Sequence, residues 1–347
     1  MNRRLPIFAL IAALLAVPLG VHAQVPSGET STVGSVPIKD ELTPAVRSRV
    51  KRGLEFLSKN LNPDGSVNGG GGDSAAIMAL AGIAFVADGN LPNNGPYGKE
   101  VDKILEFTLN NCQPSGLISS PNYGQPMYGH GFATLFLAEV YGMSQRPDLK
   151  EKLEHAIRLI VLSQNGEGGW RYQPVPQDAD ISVTICQVMA LRAARNAGIK
   201  IPKSTIDRAV DYVKRSQEPD GGFAYMLNAR GSAFPRSAAG VACLYYTGQY
   251  DSPEIPKGIK YLMQRLPGKS ENSADYHFFY GNYYATQAMF MSGGTYWSSY
   301  WPAICAELEK RQQNDGSWPD QTGAVYGTSM ALIMLQVPNR LLPILQK

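Results

Sequence analysis

One pattern recurs six times along this chain and limits what it can fold into. A basic-small pair is followed after two residues by an aromatic or aliphatic pair. Three residues later comes a polar or aliphatic anchor, and four residues after the anchor a Gly. The instances run Arg52-Gly53, Phe56-Leu57, Leu61, Gly65, then Lys103-Ile104, Phe107-Thr108, Cys112, Gly116. They continue as His155-Ala156, Leu159-Ile160, Gln164, Gly168, Trp170, and Arg208-Ala209, Tyr212-Val213, Gln217, Gly221, Phe223. The fifth, Lys257-Gly258, Tyr261-Leu262, Leu266, lacks the Gly, and the sixth keeps Leu308, Gln312, Gly316 and Trp318. The anchors lie 46 to 53 residues apart, a spacing that marks stacked supersecondary units and is read before any local motif.

Each unit has the same grammar. An amphipathic helix, apolar at i, i+3, i+4 and i+7, stops at a turn of the N-x-D-G or P-D-G-G kind. After a variable Gly/Pro/Tyr-rich connection, a second helix is predicted over residues 74–84, 131–140, 182–194, 237–246, 283–291 and 328–335. These second helices are apolar nearly all round, which marks buried elements, whereas the first ones keep a charged face such as Lys150, Glu151 and Lys152. No alternating strand pattern competes. Twelve helices in six hairpins, with the apolar set inside, predict an all-α fold: a single α/α toroid (an α6/α6 barrel) over residues 41–347.

The chain's beginning reads differently. Arg3 and Arg4 precede an apolar run over 5–19, and Val21-His22-Ala23 has the small residues of a cleavage site. Residues 1–23 are thus expected to be a signal peptide, and the Gly/Ser/Thr/Val-rich stretch 24–40 a flexible leader. The run is shorter than the roughly 20 apolar residues that span a bilayer, so no transmembrane segment is expected after cleavage. The destination expected is secreted or periplasmic. Net charge is +3 over all 347 residues; without the two leading arginines 30 basic side chains face 29 acidic ones. A field that weak does not argue for nucleic acid, and none is expected as a partner. The four cysteines show no C-x-x-C spacing, which argues against a zinc ribbon or redox motif, and in an oxidising compartment both free thiols and one disulfide stay open. The Gly run at 69–72 precedes no Lys-Ser/Thr and is no phosphate loop. No metal and no cofactor is expected.

The recurring unit resembles the QW repeat of triterpene cyclases, carried here by Gln164 to Trp170, Gln217 to Phe223 and Gln312 to Trp318. The resemblance extends over roughly residues 45–340. It implies the six-hairpin toroid shared by squalene-hopene cyclases, protein prenyltransferase β subunits and complement-type thioester domains. The D-x-C pair of the zinc prenyltransferases and the G-C-G-E-Q thioester motif are both absent. Asp178-Ala179-Asp180-Ile181 sits where squalene-hopene cyclases carry D-x-D-D. The resemblance therefore implies Asp180 as the acid that protonates an alkene and Asp178 as its partner, with Ile181 in place of the third acid. The residues also admit an ordinary reading, in which Asp180 or Ser182 caps the inner helix and Asp178 pairs with Arg171.

Aligning the second helices on Leu80, Leu137, Leu191, Leu244, Phe290 and Leu335 places Asp73, His130, Thr184, Ser237, Tyr283 and Thr328 seven residues upstream. These positions are expected to ring one mouth of the barrel, where helix N-termini favour a polar or anionic ligand. Tyr123, Tyr172, Asn282 and Tyr284 stand nearby in sequence. The candidate ligand-binding set is Asp73, Tyr128, His130, Trp170, Arg171, Arg236, His277 and Tyr280, with Asp178 and Asp180 as candidate catalytic residues. The function expected is an exported toroid that binds a small-molecule, isoprenoid or glycan ligand, or an extracellular protein partner, at this mouth, its activity left open. One alternative is a terpene-cyclase-like enzyme with Asp180 as general acid. Another is a glycan-processing enzyme using Asp73 and Asp180 as paired carboxylates.

Overall fold

The computed structural model describes residues 41–67, 74–120, 124–268 and 277–346. The expected signal peptide and leader, the Gly run at 69–72, Asp73 and Tyr123 lie outside them. Helices α1 (Pro44–Asn60), α3 (Gly98–Asn110), α5 (Leu149–Ser163), α7 (Lys203–Arg215), α9 (Glu254–Met263) and α11 (Gly294–Arg311) form an outer set. They alternate along the chain with α2 (Ser74–Ala87), α4 (Pro126–Val140), α6 (Ile181–Asn196), α8 (Phe234–Tyr246), α10 (Phe278–Ser292) and α12 (Ala324–Gln336). Each even-numbered helix packs on the next and α12 packs back on α2, so the apolar set closes into an inner ring. Among the described residues there is no strand, only isolated bridges. The fold is the all-α toroid that the recurring pattern predicts.

The burial pattern explains the two layers. Helix α4 buries every residue except Tyr128, whereas α7 buries only Thr205, Ala209, Tyr212 and Val213. Each fully buried large apolar side chain contributes about 1.5–3 kcal/mol, so the inner helices carry most of the apolar stabilisation. Cross-ring bonds show that the inner helices run the same way. Tyr280 near the start of α10 donates to the Ser182 carbonyl near the start of α6. At the far ends, Tyr245 of α8 bonds Ser292 of α10, and Arg192 of α6 donates to the Tyr246 carbonyl. The inner helices begin up to five residues earlier than predicted, as with α4 at Pro126 and α8 at Phe234, ahead of Pro235. A proline in a first turn loses no hydrogen bond, because that N–H has no intrahelical partner; read as a breaker, it conceals the helix start.

The recurring turn is one joint built five times. Gly65, Gly116, Gly168, Gly221 and Gly316 all have φ between +82° and +103°, the left-handed region that side chains disfavour. A Cβ on any of them would stand 2.2–2.5 Å from the main-chain oxygen of Lys103, His155, Arg208, Lys257 or Arg52 respectively, each on the following outer helix. Gln164 Nε2 donates to the Gly168 carbonyl at 2.8 Å and to the Thr205 carbonyl of α7 at 2.9 Å. Gln217 does the same to Gly221 and Glu254, and Gln312 to Gly316 and Arg49. The last of these joins α11 to α1, so the chain closes on itself. Trp170 and Trp318 donate their indole N–H groups to the Ile160 and Leu308 carbonyls, each at 2.7 Å.

The other end of the barrel is covered by the C-terminal segment. Asn339 donates to the Ala87 carbonyl at the end of α2, and Leu342, Ile344 and Leu345 are buried. The turn Pro343–Leu345 packs on α6. Glu139, near the end of α4, is buried there, and its Oε2 has no hydrogen-bond partner. Burial pushes its carboxyl up to about 8, offset in part by the Ile344 main-chain amide. The four cysteines, Cys112, Cys186, Cys243 and Cys305, are free thiols.

Two expectations follow. Gly166 and Gly168 share one turn, yet a Cβ on Gly166 meets nothing within 4 Å. Gly168→Ala is expected to cost about 2–4 kcal/mol in denaturant unfolding, and Gly166→Ala less than about 0.5 kcal/mol. Glu139 has a folded value near 8 against an ordinary 4.5, so its protonated form favours the fold. That contribution is complete below about pH 4.5 and is lost as pH rises toward 8. Glu139→Gln should flatten the fall of Tm with pH across this window and leave the variant the more stable protein at pH 8.

Candidate functional site

Asp180 is the N-cap of α6, in extended conformation, and its Oδ1 accepts the Ser182 and Val183 amides at 2.8 and 2.9 Å. Its main chain is held on both sides. The Asp180 amide donates to the Trp170 carbonyl at 3.0 Å, and the Ile181 amide to the Tyr225 carbonyl at 3.0 Å. The joint that buries Trp170 thus also fixes where this carboxyl stands. Ile181, in the place of a third acid, is buried in the core.

The second oxygen faces a different group of residues. Oδ2 accepts the Tyr225 hydroxyl at 3.3 Å and lies 3.7 Å from Arg171 Nε. Tyr225 and Tyr172 share a hydroxyl-hydroxyl hydrogen bond. Arg171 packs over the Tyr172 ring, 4.9 Å from its centroid, and over Tyr225 at 5.9 Å. Its guanidinium is paired through NH1 with Asp178, a half-exposed carboxylate. Asp180 is fully buried. Burial raises its carboxyl to about 6, against the two amide bonds, Arg171 and Tyr225, which all favour the anion. Because Oδ1 is occupied by two donors, the proton of the acid form resides on Oδ2. The site is a buried carboxylic acid with one pinned oxygen and one oxygen turned toward tyrosines.

Tyr128 and Tyr280 complete this cluster. Burial raises the Tyr128 hydroxyl above its ordinary range, with the Asp180 charge adding to it. The Tyr128 and Tyr172 rings lie 6.1 Å apart. Beneath them, side chains of α10 reach into the lumen. Tyr284 meets the Cys186 thiol of α6 at 3.4 Å, and Tyr283 packs edge-on against Phe132 of α4. Both tyrosines are buried.

The structure brings Asp178, Asp180, Arg171, Tyr128 and Tyr280 together and sends the other sequence-selected residues among those described elsewhere. His130 is fully buried: its Nδ1 accepts the Ile118 amide at 3.2 Å, which leaves Nε2 to donate to the Ala156 carbonyl at 3.2 Å. Burial lowers its pKa to about 4, so the ring is neutral at physiological pH and serves as a joint. Thr184, Ser237 and Thr328, its equivalents on other inner helices, accept the amides of Trp170, Phe223 and Trp318. These positions face the turns rather than a solvent-filled mouth, which corrects the expectation of a polar ring. Tyr283 is inside the lumen. Trp170 is buried in its joint. Arg236 donates to the Phe223 and Gly231 carbonyls and braces that loop. His277 is exposed at the start of α10, with φ +59°, and lies 3.4 Å from Gln321 Nε2. Tyr225 is the residue that the sequence reading missed. Its signal was the phase of the pattern, since Tyr172 follows Trp170 by two residues as Tyr225 follows Phe223.

Among the described residues, no group of three or more His, Cys, Asp or Glu is placed to hold a metal ion, and no helix is long and apolar enough to cross a membrane.

No family model matches the chain. Two curated relatives are drimenyl diphosphate synthases, from Streptantibioticus cattleyicolor (27% identical over 181 residues) and Streptomyces showdoensis (24% over 180). Each match takes in 51% of this chain and 32% of the relative, so about a third of their length is matched. Among solved structures, the type II terpene cyclase MstE from Scytonema superposes with a TM-score of 0.62 at 16% identity, covering 86% of this chain and 98% of that one. An inactive variant of a Salegentibacter α-1,6-mannanase, solved with α-1,6-mannotetrose, gives 0.63 at 8% identity, over 84% and 98%. One toroid thus underlies a terpene cyclase and a glycosidase, and these likenesses speak for the fold.

The Asp180 geometry yields a stability expectation. Its folded value, about 6, exceeds the ordinary 3.8, so its contribution to stability is full below pH 3.8 and is lost as pH rises through 6. Asp180→Asn keeps an acceptor for both amides and should remove this pH dependence, read as Tm between pH 4 and 7.5. Asp180→Ala should cost about 1–2 kcal/mol through the lost cap below about pH 4, and less as pH rises through 6.

Proposed function

We propose that this chain, a terpenoid-cyclase-like α/α toroid by fold, binds an isoprenoid-type small molecule at the tyrosine-lined mouth and donates a proton to it from Asp180. Export by the N-terminal signal is part of the proposal and places the reaction outside the cytoplasm. The observation that carries it is the division of labour within one carboxyl. Oδ1 is fixed by two amides of α6, and Oδ2, which bears the proton, is turned to Tyr225 and Arg171.

In the step proposed, an alkene carbon takes the Oδ2 proton and the electron pair of the O–H bond stays on the carboxylate. Both amides, the Tyr225 hydroxyl and Arg171 stabilise that anion, so the groups that resist its burial are in place before the charge forms. Tyrosine faces at the mouth stabilise the carbocation through their π-electrons. Loss of a proton from the last cation restores the acid, and the net change is an isomerisation. The likeness to drimenyl diphosphate synthases and to a terpene cyclase solved with geranylgeranyl dihydroxybenzoate supports this class of substrate.

A second reading, binding without turnover, is favoured by Tyr283 and Tyr284, which fill the lumen below the acid. A single experiment separates the two. The purified full chain is incubated with geranylgeraniol, farnesyl diphosphate and squalene, with products followed by gas chromatography–mass spectrometry and binding by calorimetry. The proposal expects cyclised isomers, reduced about 100-fold or more in Asp180→Asn. Binding lost in Tyr128→Ala, with every substrate returned unchanged by the wild-type chain, would establish the second reading. Neither binding nor product would remove both.

A further inference from the structure

A cavity of about 530 Å³ lies at the other end of the barrel, within the size range of small-molecule sites. It is lined by Phe290 at the end of α10, Gly293 and Gly294 at the turn, Trp297 of α11, Glu41, and Arg340 and Gln346 of the C-terminal segment. Tyr280 and Phe290 belong to the same helix ten residues apart, so this cavity is about 15 Å along the axis from the acidic mouth.

Its aromatic wall is stiff. Trp297 stacks on Trp301 at 4.9 Å and meets Phe290 edge-on at 5.1 Å. Glu41 is fastened to that wall, with Oε1 accepting the Trp297 indole N–H and its carbonyl accepting that of Trp301. Arg340 stands on the facing segment. Its backbone is set by φ +55° and by the Gln346 side chain, which donates to its carbonyl at 2.8 Å. Its guanidinium lies over Phe290, 5.2 Å from the ring centroid. A carboxylate and a guanidinium therefore line one cavity, and among the described residues they form no ion pair with each other. Two opposite charges that line one cavity beside an apolar wall match a ligand that carries both charges and an apolar body.

We propose that this cavity binds a zwitterionic small molecule, an apolar α-amino acid or dipeptide. Its ammonium meets Glu41, its carboxylate meets Arg340, and its side chain lies on Phe290 and Trp297. The site is independent of the chemistry at Asp180.

The test is calorimetric titration of the full chain with L-phenylalanine and L-alanyl-L-phenylalanine. N-acetyl-L-phenylalanine, without an ammonium, and L-phenylalaninamide, without a carboxylate, are the controls. Saturable binding of at least one zwitterion is expected, with each blocked compound about 10-fold weaker or worse. Arg340→Gln should abolish the preference over the amide, and Glu41→Gln, which still accepts the Trp297 N–H, the preference over the acetylated compound. Asp180→Asn should change neither. Thermal melts verify that the variants fold, and the blocked ligands apply the same test to the wild-type chain. No saturable heat up to about 10 mM, equal affinity for zwitterions and blocked compounds, or binding abolished by Asp180→Asn would overturn the proposal.

Discussion

The toroid depends on a contact between a turn and a helix. At each of five turns a glycine in the left-handed region lets the chain pass within side-chain distance of a carbonyl on the next outer helix. At three of them a glutamine amide ties the turn's own carbonyl to one near the start of that helix. A buried turn carbonyl is costly unless paired, and here the amide that pairs it also reaches the next helix and so sets the spacing between hairpins. The Gln312 bond to Arg49 is the same joint made between the last hairpin and the first. Closure therefore needs no device of its own, because the ring closes when the sixth turn meets α1.

The candidate acid stands where this joint puts it. Trp170 ends the third turn, its carbonyl receives the Asp180 amide, and Asp180 caps the helix that follows. A capping carboxylate is ordinarily exposed and ionised. Here Tyr225 from the neighbouring turn and Arg171 enclose it, and desolvation outweighs the attractions that would keep it charged. The cap takes one oxygen and leaves the other to Tyr225 and Arg171, which is what the proposed acid chemistry requires.

What the sequence revealed follows from how local each feature is. The Gln, Gly and Trp of the joint act within a few residues and recur in phase, so the layers, the helix count and the Asp178–Arg171 pairing were legible. Direction was not. His130, Thr184, Ser237 and Thr328 hold corresponding positions on their helices, but whether that register faces the lumen or the turn depends on the rotation of each helix in the ring. Tyr225 was hidden because its contact with Asp180 spans two turns, 45 residues apart. Helix starts were hidden for a simpler reason: Pro126 and Pro235 look like breakers and are first-turn residues.

The lumen is best understood as a wall between two ends. Tyr283 against Phe132, Tyr284 against Cys186, and Tyr246 bonded to Gln287 fill it with side chains from α4, α6, α8 and α10. Below this layer, Glu139 and the buried leucines and isoleucine of the C-terminal segment add a floor. Among the described residues this packed layer lies between Asp180 and the cavity beside Glu41 and Arg340, and a path from one to the other would have to pass through it. Opening such a path would strip close-packed rings of their neighbours, which costs several kcal/mol per large side chain. Because that layer separates the two ends, the proposed proton transfer at Asp180 and the proposed recognition at the far cavity can be altered separately on a single closed ring.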